Sequence, residues 1–261
     1  MLLRETLAEG SPTAQALEPV VAAAETALRT WQPVWTGFLS AAVREEAEIR
    51  LGSLSELSLG SDGGYPGSER RQLLLQRTEA LGPTQDQPPQ VMGLEIAGNF
   101  LFDPAAAADF RQALINAGAQ DDQIGDLWPR GDRGAQAIVG AELAQKLDGI
   151  EGLVRTVAVR FEARPVAELA LPAPRPQRDL HTVEASQRLD AVASAGFGLS
   201  RNRMANLIRE GAVRIDWKVV TSPSRELAVG ERVQLEGRGE LRVEGVSETK
   251  RGRWRIHLVR S

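Results

Sequence analysis

The sequence predicts an α+β chain of several domains. Three observations carry that reading: two proline-rich stretches that divide it, strands alternating with short helices in its middle, and a basic block toward its end. A chain of 261 residues accommodates two or three small domains, and an apolar fraction of 42% is enough to bury a core in each. The dividing stretches are GPTQDQPPQ, residues 82–90, and PVAELALPAPRPQ, residues 165–177; in the second, Pro172, Pro174 and Pro176 forbid helix and central strand alike. They read as linkers and set domains at 1–81, 91–164 and 178–261.

The first block is expected to be mainly helical. Leu17 to Trp31 is rich in alanine, and Phe38 to Leu51 places apolar residues among paired charges. After the loop GSDGGYPGSERR a further helix is predicted to start near Ser68, as an N-cap followed by Glu69.

The middle block alternates. Val91 to Phe102 reads as a strand, Ala105 to Ala117 as a helix ended by Gly118, and Gln123 to Trp128 and Ala135 to Val139 as strands about the turn PRGDRG. Ala141 to Leu147 follows as a helix and Leu153 to Phe161 as a β-branched strand. The order β-α-β-β-α-β is that of ferredoxin-like folds. RNA-recognition domains share this topology, yet the basic, aromatic-rich strand that stacks bases in them is missing here.

The last block predicts two helices and then strands. Leu189, Val192, Ala193 and Phe197 share one helical face, Met204, Leu207 and Ile208 another, and Gly211 ends the second helix. Strands are predicted at Val213 to Trp217, Arg232 to Leu235, Leu241 to Val246 and Arg253 to Val259; in the last, Trp254, Ile256 and Leu258 alternate with Arg253, Arg255 and His257.

Charge separates the ends of the chain. Residues 178–261 hold 16 Arg or Lys against 11 Asp or Glu, net +5, while residues 1–177 are net −9. A basic module on an acidic body suggests nucleic-acid contact confined to one end. The motif that gives this chemical content lies at the second helix, whose first turn carries Arg201, Asn202 and Arg203 after the capping Ser200. The helix dipole disfavours cations there, so their placement makes sense when an anion binds between them and the free backbone N–H groups. Arginine also grips phosphate through two parallel hydrogen bonds. Asn206 and Arg209 extend this polar face, Lys218 lies in the turn after the strand, and Arg188 and Arg238 are further phosphate candidates. Asp190, inside the motif, is expected to hydrogen-bond the helix start.

Arg188-Leu189-Asp190, Ser200-Arg201, Ala205, Leu207-Ile208, Gly211 and Val213 resemble the S-four (alpha-L) RNA-binding module. Asp216-Trp217-Lys218 stands where such modules continue with Asn-Gly, and this tryptophan-lysine pair resembles the YlmH-like proteins, including the cyanobacterial branch labelled photosystem II S-four domain protein. GGYPGSERR (63–71), LEIAGNFLFDP (94–104), IGDLWPRGDRGAQAIV (124–139) and TKRGRWRIHL (249–258) also resemble segments of that family, in the same order. Arg111-Gln112 in place of Leu-Gly, and GRGE with Glu240 in place of a more basic turn, depart from it. The resemblance implies a non-enzymatic protein that binds the ribosomal RNA and tRNA of obstructed large ribosomal subunits in ribosome-associated quality control, with further ribosomal contacts from the middle domain.

Two other classes stand beside this reading. RNA-modifying enzymes carry the same module, but no second catalytic domain or glycine-rich cofactor turn is evident. A photosystem-related or other protein-assembly factor is the remaining alternative. With no cysteine and only His181 and His257, no disulfide, metal centre or cofactor is expected, and a reducing cytoplasm fits best. The stretch MLLRETLAEGSPTAQ has no apolar core, and the run Val20 to Ala24 is far short of the ~20 residues of a membrane span. A monomer with no small-molecule substrate is expected.

Overall fold

A computed structural model describes residues 14–80, 89–173, 176–235 and 238–261. The N-terminal stretch to residue 13, most of the first proline-rich segment, Pro174 and Gly237 of the GRGE turn lie outside the described residues. The chain divides into two units, Met1–Ala173 and Pro174–Ser261.

In the first unit the alanine-rich segment forms α1 (Ala14–Thr30), followed by β1 (Val34–Trp35), α2 (Ala41–Leu51), β2 (Leu57–Asp62) and β3 (Gln72–Arg77). Ser40 caps α2, its hydroxyl accepting from the Val43 amide at 3.4 Å. The strands form an antiparallel sheet in the order β1-β3-β2, and Leu17, Val20, Ala24, Val43, Ala47 and Leu51 of the helices bury Leu73 and Leu75 of β3. The helix expected at Ser68 is therefore a strand. Leu73 and Leu75 face the core with period two and pair with Ser61 and Leu59, a pattern only an extended chain satisfies. Ser68 itself is buried in the loop before the strand.

The middle elements are β4 (Val91–Ala97), α3 (Ala107–Asn116), β5 (Ile124–Pro129), β6 (Gly134–Gly140), α4 (Ala141–Leu147), β7 (Glu151–Val154) and β8 (Val157–Arg164). They pair antiparallel in the order β5-β6-β4-β8-β7. The first four strands have the ferredoxin-like order, and β7 extends the edge. The expected single strand Leu153–Phe161 is thus a hairpin that turns at Arg155, held at φ 54°. Gly134 opens β6 at φ 115°, where a side chain would collide with the Ile96 carbonyl oxygen.

Both faces of this sheet are covered. Leu94, Ile96, Ala137, Val139 and Phe161 pack under α3 and α4 with Phe110, Leu114 and Leu143. On the other face Ile138 packs with Phe38 of the first block and Leu169, flanked by Tyr65 and Trp128. Leu169 belongs to the stretch expected to be linker. Its beginning is instead folded: Val166–Glu168 is a single 3₁₀ turn, and the missing side chain of Gly93 leaves room for Leu169, which a Cβ there would meet at 2.8 Å. The sheet face that an RNA-recognition domain uses to stack bases is therefore occupied by the chain's own side chains.

The second unit contains β9 (Arg178–Glu184), α5 (Leu189–Phe197), α6 (Arg201–Arg209), β10 (Val213–Ile215), β11 (Lys218–Val219), β12 (Arg232–Leu235), β13 (Gly239–Glu248) and β14 (Trp254–Arg260). The sheet order is β11-β10-β12-β13-β14-β9. Strand β9 was not expected from the sequence; it pairs along the full length of β14, placing His181 opposite His257 with the rings stacked at 4.5 Å. Leu189, Val192, Phe197, Met204 and Ile208 of the helices pack on Val213, Val233, Leu241, Ile256 and Leu258. As expected for β14, Ile256 and Leu258 are buried and Arg255 is exposed. Among the described residues no helix is long and apolar enough to cross a membrane.

Candidate nucleic-acid interface

Helices α5 and α6 are joined by a turn of three residues. Gly198 adopts the left-handed conformation at φ 66° and closes α5 through hydrogen bonds from its own amide to the Ser194 and Ala195 carbonyls. Two residues later Ser200 caps α6, its hydroxyl accepting from the Arg203 amide at 3.3 Å. No acid occupies the first turn of α6, which leaves the positive end of the helix uncompensated within the helix itself. Met204, Ala205 and Ile208 face the core, so Asn202, Asn206 and Arg209 line up on the exposed side, with Arg203 beside them.

The expected cations divide into two groups. Arg188 and Arg201 converge on one carboxylate: Arg188 donates to Asp190 at 3.0 and 3.1 Å and Arg201 at 3.1 and 3.2 Å. Asp190 is buried, 5% exposed, and both guanidinium groups remain open to water. Burial opposes ionisation of Asp190, but the hydrogen bonds from Arg188 and Arg201 outweigh it, and its carboxyl ionises below the usual carboxylate range. Instead of hydrogen-bonding the helix start, Asp190 links the entrance of α5 to the entrance of α6. No local spacing rule would reveal this, because Arg201 lies eleven residues away and comes close only when the helices pack.

The second group is uncommitted. Among the described residues Arg203, Lys218 and Arg238 are exposed and form no ion pair, and Arg209 donates to Asn206 at 3.0 Å. Arg238 is placed by a residue the sequence reading overlooked. Arg260 of β14 donates to the Arg238 carbonyl at 3.3 Å and to the Gly196 carbonyl at 3.4 Å, holding the turn before β13 near the end of α5. Lys218 is not in a turn but opens β11, whose Val219 approaches Gly211 just beyond α6. The cations therefore flank α6 from its capped end to its far end.

The hairpin presenting Lys218 turns through Asp216 and Trp217 at φ 46° and 66°. Positive φ at both central residues is the type I′ geometry that Asn-Gly usually supplies. Here the Asp216 carboxylate accepts from the Arg232 amide at 3.2 Å, the Trp217 amide donates to Gln234 at 3.3 Å, and the Arg232 guanidinium lies 5.8 Å from the Trp217 ring centre.

In the first unit the GGYPGSERR loop is fixed by Asp126 of β5. Its carboxylate accepts from the Tyr65 hydroxyl at 2.7 Å and from the Glu69 and Arg70 amides at 2.8 Å each. The Arg70 side chain in turn donates to the carbonyls of Phe38, Asp121 and Ile124. This motif is a clasp between the first block and the middle sheet.

The family described as YlmH, N-terminal, matches residues 13–80, and the S4 domain family matches residues 187–233. The ribosome-associated protein quality control protein P2 of Bacillus subtilis (strain 168) is 28% identical over 212 residues, spanning 79% of each chain. Among solved structures, the cell division protein ylmH from Streptococcus pneumoniae aligns with a TM-score of 0.46 at 19% identity, over 60% of this chain and 93% of that one. The chain thus carries a stretch that matches the YlmH N-terminal family and, after it, one that matches the S4 domain family.

Proposed function

We propose that this protein is a non-enzymatic RNA-binding factor that docks the exposed face of α6 against ribosomal RNA and tRNA on the large ribosomal subunit, and acts there in ribosome-associated quality control. The observation that carries the reading is the capped end of α6. Arg203 stands exposed beside free helix-terminal N–H groups, with Arg201 held next to it by Asp190. Donors fixed in this way before binding suit a phosphate backbone, which supplies most of the affinity in such contacts. The Bacillus relative, whose name places it in ribosome-associated quality control, supports the process.

The test is to capture the tagged protein from its own cells and sequence the bound RNA. Large-subunit ribosomal RNA together with tRNA is the expected result. Recovery of photosynthetic proteins without RNA would instead favour the assembly-factor reading, and absence of RNA at low salt would overturn the proposal.

A further inference from the structure

We propose that the end of the middle sheet carrying Phe102 is a second RNA-contacting surface, on which Phe102 stacks against an unpaired base while Arg130 and Arg133 hold the adjoining phosphates. The inference rests on the reading of the chain as RNA-binding but uses none of the residues of α6.

Three loops meet at this end, because Ala97 at the end of β4 pairs with both Gly134 and Arg160. They are the segment from Gly98 to Ala106, the turn between β5 and β6, and the turn between β7 and β8. Hydrogen bonds tie them together. The Gly98 amide donates to the Arg133 carbonyl at 3.3 Å and the Phe100 amide to the Asp132 carbonyl at 2.8 Å. Asp103 accepts from the Thr156 hydroxyl at 2.7 Å and pairs with Arg155 at 3.0 Å.

Within this fixed loop Phe100 points inward, 2% exposed and 4.9 Å from the Phe110 ring, while Leu101 is 60% and Phe102 91% exposed. A phenylalanine held almost wholly in water on an anchored loop contributes little to the core, and with Leu101 next to it this loop offers an exposed apolar pair to a partner. Its surroundings indicate what it contacts. Arg133 is exposed and Arg130 half-buried; neither forms an ion pair among the described residues, and Arg130 donates to the Ala170 carbonyl at 3.4 Å. Asp103 is already neutralised by Arg155, leaving Asp132 as the opposing acid in the turn.

This cationic end stands out on residues that are net negative as a whole. A planar apolar group on loops that also carry Arg130 and Arg133 matches single-stranded RNA, which offers base faces and phosphates together. The flat face of the sheet cannot serve this purpose, since Phe38 and Leu169 pack against it.

The experiment places a photoreactive benzoylphenylalanine at position 102 of the full chain. The chain is irradiated with purified large ribosomal subunits and, separately, with a short single-stranded RNA oligonucleotide of mixed sequence. An adduct to RNA is expected in at least one; adducts to ribosomal proteins alone, or none in either, would overturn the proposal. In parallel, Phe102→Ala is expected to weaken RNA binding roughly tenfold and Phe102→Tyr to preserve it, as for other base-stacking aromatics. Wild-type affinity in the alanine variant would also overturn it. If Arg203→Ala leaves binding unchanged while Phe102→Ala reduces it, the α6 reading fails and this one stands; the reverse result separates them in the other direction.

Discussion

Arg201 and Asp190 form a two-pronged ion pair, with Nε and Nη2 of the arginine at 3.2 and 3.1 Å from the two carboxylate oxygens. The pair joins the first residue of α6 to the first turn of α5. Arg201 therefore has a structural duty in the free protein, whereas Arg203 has none among the described residues. Because Arg188 also holds Asp190, loss of the Arg201 contact does not leave the buried carboxylate unpaired.

This separates two substitutions that the sequence alone treats as equivalent. Arg203→Ala is expected to weaken binding to large ribosomal subunits and lower the salt dependence by about one unit of log–log slope, with unchanged thermal stability. Arg201→Ala should lower both affinity and melting temperature. Salt titrations of binding and thermal unfolding, run on the same preparations, check the contrast.

Asp190→Asn should destabilise the fold by about 1–2 kcal/mol at neutral pH, less than the loss of a fully buried pair because both arginines face water. The pH dependence has a definite sign. A carboxyl that ionises at lower pH in the fold than in the unfolded chain stabilises fully above about pH 4 and loses that contribution as pH falls through its folded value. Urea unfolding of both proteins should show their stability gap widest near pH 7 and closing below about pH 4. A gap that widens on acidification would contradict the assignment.

The clasp on Asp126 predicts a graded series. Tyr65→Phe removes one hydrogen bond and should cost about 1 kcal/mol, while Asp126→Ala strands the Glu69 and Arg70 amides as well and should cost about 2–3 kcal/mol. Denaturant midpoints measure both. Equal effects would mean that the tyrosine alone carries the contact.

A fragment of residues 89–173 should behave worse than one of residues 14–173. Without Phe38 and Tyr65, the sheet face bearing Ile138 and Trp128 is opened to water. Self-association by light scattering, or binding of a hydrophobic dye, is expected for the short fragment and not for the long one.

Much of the fold was legible in the sequence, and the losses have a common physical origin. The middle strands and helices were found because Gly118, the PRGDRG turn and the β-branched runs punctuate them locally. The α5–α6 pair was found for the same reason, through Ser200, Gly211 and helical spacing. Strand β3 was taken for a helix because three consecutive leucines fit either period until the partner strand is known. Strand β9 escaped because β14, its partner, lies at the far end of the unit. At the site, the exposed cations could be read from helix register, but the pairing of Arg188 and Arg201 on Asp190 and the anchoring role of Arg260 depend on tertiary packing.

The β10–β11 hairpin has one further consequence. Glycine at position 217 would meet the left-handed geometry with the least strain, so tryptophan there works against the intrinsic preference of the backbone. Its indole also rests beside Arg232 rather than in the apolar cluster beneath the sheet. The turn is thus a place where stability and display of a side chain pull in opposite directions. A change of Trp217 to glycine would separate them, relaxing the backbone while removing the flat ring next to Lys218.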